Sequence, residues 1–180
     1  MEVERGHGLA MPARPFLDWL ANTPFSTFLR ESPWAYPLVE TVHVLTLCLF
    51  LGFTMLLDLR LLGIALGRMA ASETTRRLEP WILLGFASMV LSGGLLFASD
   101  PVRFSENVFL RIKLGMLLLA ALNVWLYHLT VYRRVAAWDR KPATPGGARA
   151  VAIFSLVFWA VVVAMGRAIA YSSTDLRGHP

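Results

Sequence analysis

Cysteine is almost absent from this sequence: Cys48 is the single one among 180 residues. One cysteine excludes an internal disulfide framework, a C-x-x-C metal site and C-x-x-C-H haem attachment. Because Cys48 stands inside an apolar stretch, we expect it to be a small buried hydrophobic side chain. The chain also has no phosphate-binding loop and no recognisable serine-nucleophile motif.

Carboxylates are scarce as well, with 12 Asp and Glu in the whole chain. A di-iron bundle requires paired E-x-x-H motifs, and the long apolar stretches contain that pattern once, as "ETVH" from Glu40 to His43. These absences give no support to an enzyme acting by itself.

Long apolar stretches are what the sequence does contain. The chain is 56% hydrophobic, with a mean hydropathy of +0.56. Four stretches each reach about 20 residues, the length that crosses a bilayer as a helix, and a helix is expected because backbone groups in lipid must bond within the segment. We predict an all-α fold, an integral membrane four-helix bundle with an N-terminal amphipathic surface helix. The predicted spans are 38–57, 81–99, 112–132 and 151–172.

The segments outside the spans divide the chain further. Residues 1–15 are polar and lack the apolar region of a signal peptide, which predicts a flexible, uncleaved N-terminus. Residues 16–36 mix aromatic and polar side chains, which predicts two short amphipathic helices at the membrane surface, the second starting after Thr23. Residues 37–172 form the four-span domain, and residues 173–180 are a mobile tail.

Two boundaries within the four-span domain are also predicted. We expect the first helix to continue past the lipid to about residue 69. The sequence "ASETTRRLEPW" (71–81) reads as a short loop, with Pro80 at or near the start of the next helix.

Basic residues flank the spans unevenly. The loops between spans one and two and between spans three and four hold nine of the 17 Lys and Arg. The positive-inside rule then favours these loops in the cytoplasm. We expect a multi-pass protein of a bacterial inner membrane with both termini periplasmic, whose partner is the lipid bilayer and not nucleic acid.

Polar residues inside the spans fall into two layers when position is converted to depth at 1.5 Å per residue. Asp58 and Arg60 are two residues apart and do not face each other, so we expect them to be boundary charges that bond to loops. The layer nearer the termini contains Glu40, His43, Gly93, Gly94, Lys113, Met165 and Arg167; the other contains Gly85, His128 and Ser155, with Asp58, Arg60 and Arg133 near the boundary.

Two interpretations of the layer nearer the termini stay open. Glu40 and His43 share one helix face, and because a charge facing lipid is costly, both should face the bundle interior or a wet cleft. In the structural interpretation, Glu40 pairs with Lys113 or Arg167 and His43 is a hydrogen-bonded core histidine. In the functional interpretation, the same layer serves ligand or proton chemistry.

Haem ligation is one form of that chemistry. His43 and His128 are the histidines inside the spans, and both are candidate metal ligands. Their depths differ by roughly 18 Å, so they cannot bind the same iron. His43 with Met165 would give a His/Met axial pair for haem b, whereas His128 would mark a second site with no obvious second ligand.

Most of the other residues assigned to this candidate haem site also have a purely structural explanation. Gly93 and Gly94 would leave room for a porphyrin, but two glycines in a membrane helix are equally explained by close helix packing. Arg167 could meet a haem propionate. Met165 is also a common kind of core-packing residue.

Several short motifs together resemble a known family. They are "YPLVETVH", "DLRLLG", "PWILLGFA", "NVFLRIK", the run from Asn123 to His128, and "GRAIAY". Over residues 16–172 the chain resembles an uncharacterised family of small bacterial four-span membrane proteins that carries a domain-of-unknown-function label. It is also distantly similar to the membrane domain of copper-resistance D proteins, which implies metal transport, and to four-helix b-type cytochromes, which implies haem-based electron transfer.

Three functions are therefore predicted. The first is a small membrane subunit that binds haem b and transfers electrons, with other redox subunits or a second copy of itself as partners. The second is a transporter or permease-like protein for a metal ion, a proton or a small solute. The third is an assembly subunit with no chemistry of its own, whose charged pairs lock helices together.

Overall fold

The computed structural model describes residues 14–139 and 144–175. Most of the predicted flexible N-terminus and most of the predicted tail lie outside these residues. The described chain is helical and contains no strand. Four helical segments are long and apolar enough to cross a membrane, which confirms the predicted all-α four-span bundle. They are Ala35–Leu62, Ala71–Ser99, Val108–Ala137 and Gly146–Ser172.

Seven α-helices carry the fold, and the third span changes its helix type near its end. The span begins as an α-helix, passes through a π-helical turn at Tyr127–Val131 and ends in a 3-10 segment, Tyr132–Ala137. The helices are α1 Arg14–Ala21, α2 Pro24–Glu31, α3 Ala35–Leu62, α4 Ala71–Ser99, α5 Pro101–Glu106, α6 Val108–Leu126 and α7 Gly146–Asp175.

The first two helices are the two short amphipathic helices predicted for residues 16–36. Thr23 caps α2, because its side chain accepts a hydrogen bond from the Ser26 backbone N–H, and Pro24 occupies the first helical position. Leu17 and Leu29 are buried, whereas aromatic side chains such as Trp19 and Phe28 are exposed. Helix α1 packs against α5 and α4, and α2 packs against α3 and α4. Both helices therefore lie at the end of the bundle where α3 begins and α4 ends, called here the N-terminal end.

The other end, called here the basic end, differs from the prediction. Helix α3 stops at Leu62, because Gly63 takes a left-handed conformation (φ 79°) and its N–H donates to the Arg60 carbonyl. The predicted extension to residue 69 is wrong. The predicted loop at 71–81 is also wrong, since α4 begins at Ala71 and Pro80 lies inside it.

The start of α4 is held by a residue from a distant part of the chain. Ala70 provides no side-chain cap. Instead, Asp139 accepts hydrogen bonds from the Ser72 backbone N–H at 2.9 Å and from the Ser72 hydroxyl. Because a free N-terminal N–H needs an acceptor, this contact lets the helix begin about two turns before Pro80 and ties it to the end of the third span.

The spans pack in the order α4–α3–α7–α6. Two buried apolar clusters hold them together. The basic-end cluster is Leu61, Ala71, Tyr127, Trp138, Ala148 and Ala152. The central cluster is Phe50, Ala120, Trp159 and Val162, where the Phe50 and Trp159 rings meet edge to face with centroids 4.7 Å apart.

Apolar side chains also cover the outer surface of the spans. Leu91 and Leu118 are 71% and 73% exposed, as expected for helices surrounded by lipid. The expectation that Cys48 is buried is wrong, since its side chain is exposed. A thiol is apolar enough to face lipid, so no packing contact is required to place it there.

Candidate functional site

His43 on α3 is tied to α4 by a hydrogen bond at the N-terminal end. Its Nδ1 lies 2.8 Å from Ser92 Oγ. The Ser92 hydroxyl donates its one hydrogen to the Ser88 carbonyl at 2.7 Å, so Ser92 Oγ accepts from His43 Nδ1–H. In this arrangement the neutral imidazole keeps its lone pair on Nε2, where it can accept a proton or bind a ligand.

Two further residues complete the surroundings of His43. A Cβ on Gly93 would lie 3.3 Å from His43 Cε1, so the imidazole packs closely on the α4 backbone. Lys113 on α6 is half-buried and acts electrostatically on His43. A Cβ on Gly166 of α7 would lie 3.7 Å from Lys113 Nζ. All four spans therefore contribute to this group, called here the histidine layer: His43, Ser92, Gly93, Lys113 and Gly166.

Other residues predicted for this layer lie elsewhere. Glu40 is exposed and forms no ion pair with Lys113 or Arg167 among the described residues. The expectation that Glu40 faces the bundle interior is therefore wrong. Glu40 is only five residues from the start of α3, which places its carboxylate near the interface and within reach of water. Arg167 is also exposed, and it donates to the Tyr171 hydroxyl at 3.0 Å while stacking on that ring.

Haem fits these residues only in part. His43 with its free Nε2 has the properties of an axial ligand, because a ligating histidine commonly donates its other ring N–H to a fixed acceptor. The His43 ring itself occupies the space that was expected next to Gly93. Gly94 is exposed, and a Cβ added to it would have no neighbour within 4 Å. Met165 is half-buried on α7. In the described parts of the chain, no three His, Cys, Asp or Glu side chains group closely enough to hold a metal ion.

His128 near the basic end has neighbours that the sequence did not indicate. Its Nε2 lies 3.8 Å from Glu79 Oε1 of α4, and its ring meets those of Tyr127 and Tyr132 edge to face. Gly85, expected beside His128, packs instead against α3, where an added Cβ would lie 3.0 Å from Phe50 Cβ. Gly85 is therefore a helix-packing position.

Arg60 and Asp58 have different surroundings. Arg60 is buried and its Nε donates to the Met69 carbonyl at 2.7 Å, in the loop after α3, as expected of a boundary charge bonding to a loop. Asp58 is 5% exposed, and its polar neighbour is Ser155 on α7. It lies four residues before the end of α3, but no hydrogen bond among the described residues joins it to a loop.

Asp58 belongs to a polar layer between the two apolar clusters. On α3, Thr54 and Asp58 lie between Phe50 of the central cluster and Leu61 of the basic-end cluster. On α6, Asn123 lies between Ala120 and Tyr127; on α7, Ser155 lies between Ala152 and Trp159. All four polar side chains are buried. This group is called here the aspartate layer: Thr54, Asp58, Asn123 and Ser155.

Most polar groups of the aspartate layer have hydrogen-bond partners. Thr54 donates to the Phe50 carbonyl at 2.9 Å, and the Asn123 amide donates across to the Val151 carbonyl of α7 at 3.0 Å. The exception is Asp58 Oδ2, the one buried side-chain oxygen or nitrogen in the described residues that has no hydrogen-bond partner. A buried carboxyl oxygen without a donor is costly, so this layer contains a group that packing alone does not explain.

The sequence indicated the polar residues of the site more often than it indicated their hydrogen-bond partners. Counting by depth found His43 and Asp58, but Ser92 was not singled out as the acceptor for His43. Serines that bond to their own helix backbone have no sequence motif, and the α3–α4 register that brings Ser92 to His43 depends on packing. The signal for Asp58 was an ionisable residue at the end of an apolar span.

A comparison with protein families matches residues 16–172 to one described as "Family of unknown function (DUF6644)". The match covers most of the chain, including α2 to α6 in full and nearly all of α7. No curated protein and no solved structure matches the chain.

Proposed function

Because the chain belongs to this family of unknown function, we propose its function from its own residues: a permease-like membrane protein that moves protons, or another small cation, through the bundle. This is the second of the functions predicted from the sequence. The observation that supports it is the Asp58 carboxyl, buried between two apolar clusters with one oxygen unpartnered. Intramembrane carboxyls facing a bundle interior mark ion and proton pathways.

The histidine layer and the aspartate layer would bind the transported proton in turn along that pathway. His43 and Asp58 lie 15 residues apart on α3, which corresponds to about 22 Å along the helix. His43 Nε2 can accept a proton at the N-terminal end, and Asp58 can accept one toward the basic end. The central cluster with Phe50 and Trp159 separates the layers, so it is the barrier that water entry or a helix movement has to open during transport.

The test is proton flux into liposomes that contain the purified protein and a pH-sensitive dye, under an imposed membrane potential. We expect the wild type to acidify the lumen and Asp58→Asn, which keeps the side-chain shape but cannot ionise, to reduce the protein-dependent rate at least about tenfold. Asp58→Glu should keep a measurable part of it, because the ionisable group is retained.

Glu40→Gln is the matched control, because it removes an exposed carboxylate from the same helix. Its flux should equal that of the wild type. Equal flux in Asp58→Asn and wild type would contradict the proposal. Wild-type flux no greater than that of empty liposomes would contradict proton transport. The same result with Na⁺ and K⁺ would contradict the proposal as a whole and favour the interpretation as an assembly subunit.

Haem-based electron transfer is the second candidate. It is favoured by one observation, the hydrogen bond from His43 Nδ1 to Ser92 that leaves Nε2 free to act as a ligand. The test is an absorption spectrum of protein purified from haem-replete cells, before and after dithionite. A Soret band that His43→Ala weakens would support it, whereas a colourless, folded protein would rule it out.

The proposed location is a bacterial inner membrane, with both termini in the periplasm. The excess of basic residues in the loops between spans one and two and between spans three and four supports this orientation. The basic end of the bundle would then face the cytoplasm.

A further inference from the structure

The bundle has a seam between α4 and α6. Helix α3 packs along α4 and α7, and α6 packs along α7, but in the described chain no Cα atom of α4 lies within 8 Å of one in α6. Near the basic end the seam is bridged, because Thr75 Oγ1 lies 3.3 Å from Tyr127 OH and the 3-10 segment Tyr132–Ala137 packs on α4. Toward the N-terminal end, α4 and α6 have no such direct bridge in the described residues.

Lys113 lies on α6 at the unbridged part of the seam. Its position is about 7.5 Å from the first residue of α6, the depth at which lipid headgroups meet acyl chains. The ammonium is half-buried beside Gly166 of α7, and Lys113 is in none of the ion pairs found among the described residues. A cation at this depth is costly unless an anion accompanies it.

His43 provides a hydrogen-bond acceptor at the same end of the bundle as Lys113. It lies on α3, packed against Gly93 of α4, and Lys113 acts on it electrostatically. With Nδ1–H donating to Ser92, its Nε2 accepts hydrogen bonds. The seam therefore offers a cationic donor and a neutral acceptor to a ligand that enters from the bilayer.

We propose that this seam binds the headgroup of an anionic, hydroxyl-bearing phospholipid. Lys113 donates to the phosphate, a headgroup hydroxyl donates to His43 Nε2, and the acyl chains lie along the exposed apolar surface of α4 and α6. Charge complementarity selects this occupant, because the half-buried ammonium has no carboxylate partner among the described residues and basic sites between spans bind anionic headgroups. The proposal rests on the seam and on Lys113 and does not require the proposed transport function, although both assign a role to His43 Nε2.

The test is binding of phosphatidylglycerol to the full-length protein in a neutral detergent, measured by native mass spectrometry and by the shift in unfolding temperature. Phosphatidylcholine, which is zwitterionic, and soluble glycerol phosphate are compared at the same concentrations. We expect phosphatidylglycerol to bind and raise the unfolding temperature, and the other two to have little effect. Lys113→Met should weaken phosphatidylglycerol binding at least about tenfold, the factor expected for loss of a charged hydrogen bond.

Two variants control for folding and charge. Lys113→Arg should retain binding, and Arg30→Gln, which removes an exposed charge of α2 at the same end, should bind as the wild type does. Equal binding of phosphatidylglycerol and phosphatidylcholine would overturn the proposal, as would unchanged binding in Lys113→Met. Binding of glycerol phosphate without binding of phosphatidylglycerol would overturn the proposal and show that the site takes a free anion. A dimer that binds no lipid would also overturn it, because a second copy of the chain would then cover the seam.

Discussion

Asp58 differs from the other buried polar residues of the described chain because one of its oxygens has no donor there. Asn123, Thr54 and Ser92 each donate a side-chain hydrogen bond within the bundle. Leaving a polar group unpaired in an apolar interior costs about 1–3 kcal/mol by mutational measures. A membrane bundle keeps such a group at a cost to stability, which is the pattern expected where the group has a function.

Two glycines of α4 give a matched prediction at the residue scale. Gly85→Ala adds a Cβ about 3.0 Å from Phe50 Cβ, which is tighter than most carbon–carbon contacts, so α3 and α4 have to shift apart by a few tenths of an ångström. We expect the free energy of unfolding to fall by about 1–3 kcal/mol, measured by denaturant unfolding in detergent.

Gly94→Ala is the control for Gly85→Ala. The same atom is added to the same helix, but in open space. Its stability should be unchanged or rise by up to about 1 kcal/mol, since alanine is the better helix former. Equal losses in both variants would show that α3 and α4 do not pack as described.

Helix α4 illustrates what local sequence can and cannot predict about an element. The four apolar spans and the cap of α2 by Thr23 were predictable, because length, hydropathy and capping are local properties. The start of α4 was not. Pro80 is a strong local signal for a helix start, but the helix begins at Ala71, where the acceptor for its N–H comes from Asp139, 67 residues away.

Asp139 also provides a pH-dependent prediction for this element. Burial acts to raise the pKa of Asp139, but the hydrogen bonds from Ser72 and the Ala71 backbone, together with the nearby Arg60 charge, hold the pKa below its ordinary value of 3.8. A folded-state pKa below the unfolded value means that the charged form stabilises the folded protein. This contribution is present at neutral pH and is lost as the pH falls below 3.8.

The measurement is the unfolding temperature of Asp139→Ala and wild type between pH 7 and pH 3. At pH 7 the variant should be less stable by about 1 kcal/mol, the usual value of an N-terminal cap. The difference should shrink below pH 3.8, where the wild-type carboxyl becomes protonated. Asp18→Ala removes an exposed carboxylate from α1 and should show no such pattern; a constant difference for Asp139→Ala would contradict the assigned role.

At the scale of the whole molecule, the sequence predicted that polar residues lie in two layers, but it did not predict which residues face the interior in each layer. Depth counting placed polar residues in two layers, since helix rise is fixed. It could not tell which side of each helix faces the interior, because the spans are apolar all round. Glu40, which was expected inside, is exposed, whereas Asp58, which was expected to bond to a loop, is buried among the spans.

The topology is testable by cysteine labelling in cells, in a Cys48→Ala background. Arg68 and Glu106 are exposed at opposite ends of the bundle. With periplasmic termini, a membrane-impermeant maleimide should label Glu106→Cys in cells with an intact inner membrane, and Arg68→Cys only after that membrane is permeabilised. The reverse pattern would invert the orientation, and labelling of both from outside would contradict four spans.

The central claim is that the Asp58 carboxyl serves transport and not packing, and one preparation of Asp58→Asn in liposomes can test it. The measurement is proton flux together with unfolding temperature on the same sample. A functional carboxyl predicts that flux falls at least about tenfold while the unfolding temperature stays equal or rises, because the variant removes an ionisable group that is costly to bury in an apolar interior. A lower unfolding temperature with undiminished flux from the folded protein would contradict the claim and make Asp58 a structural residue.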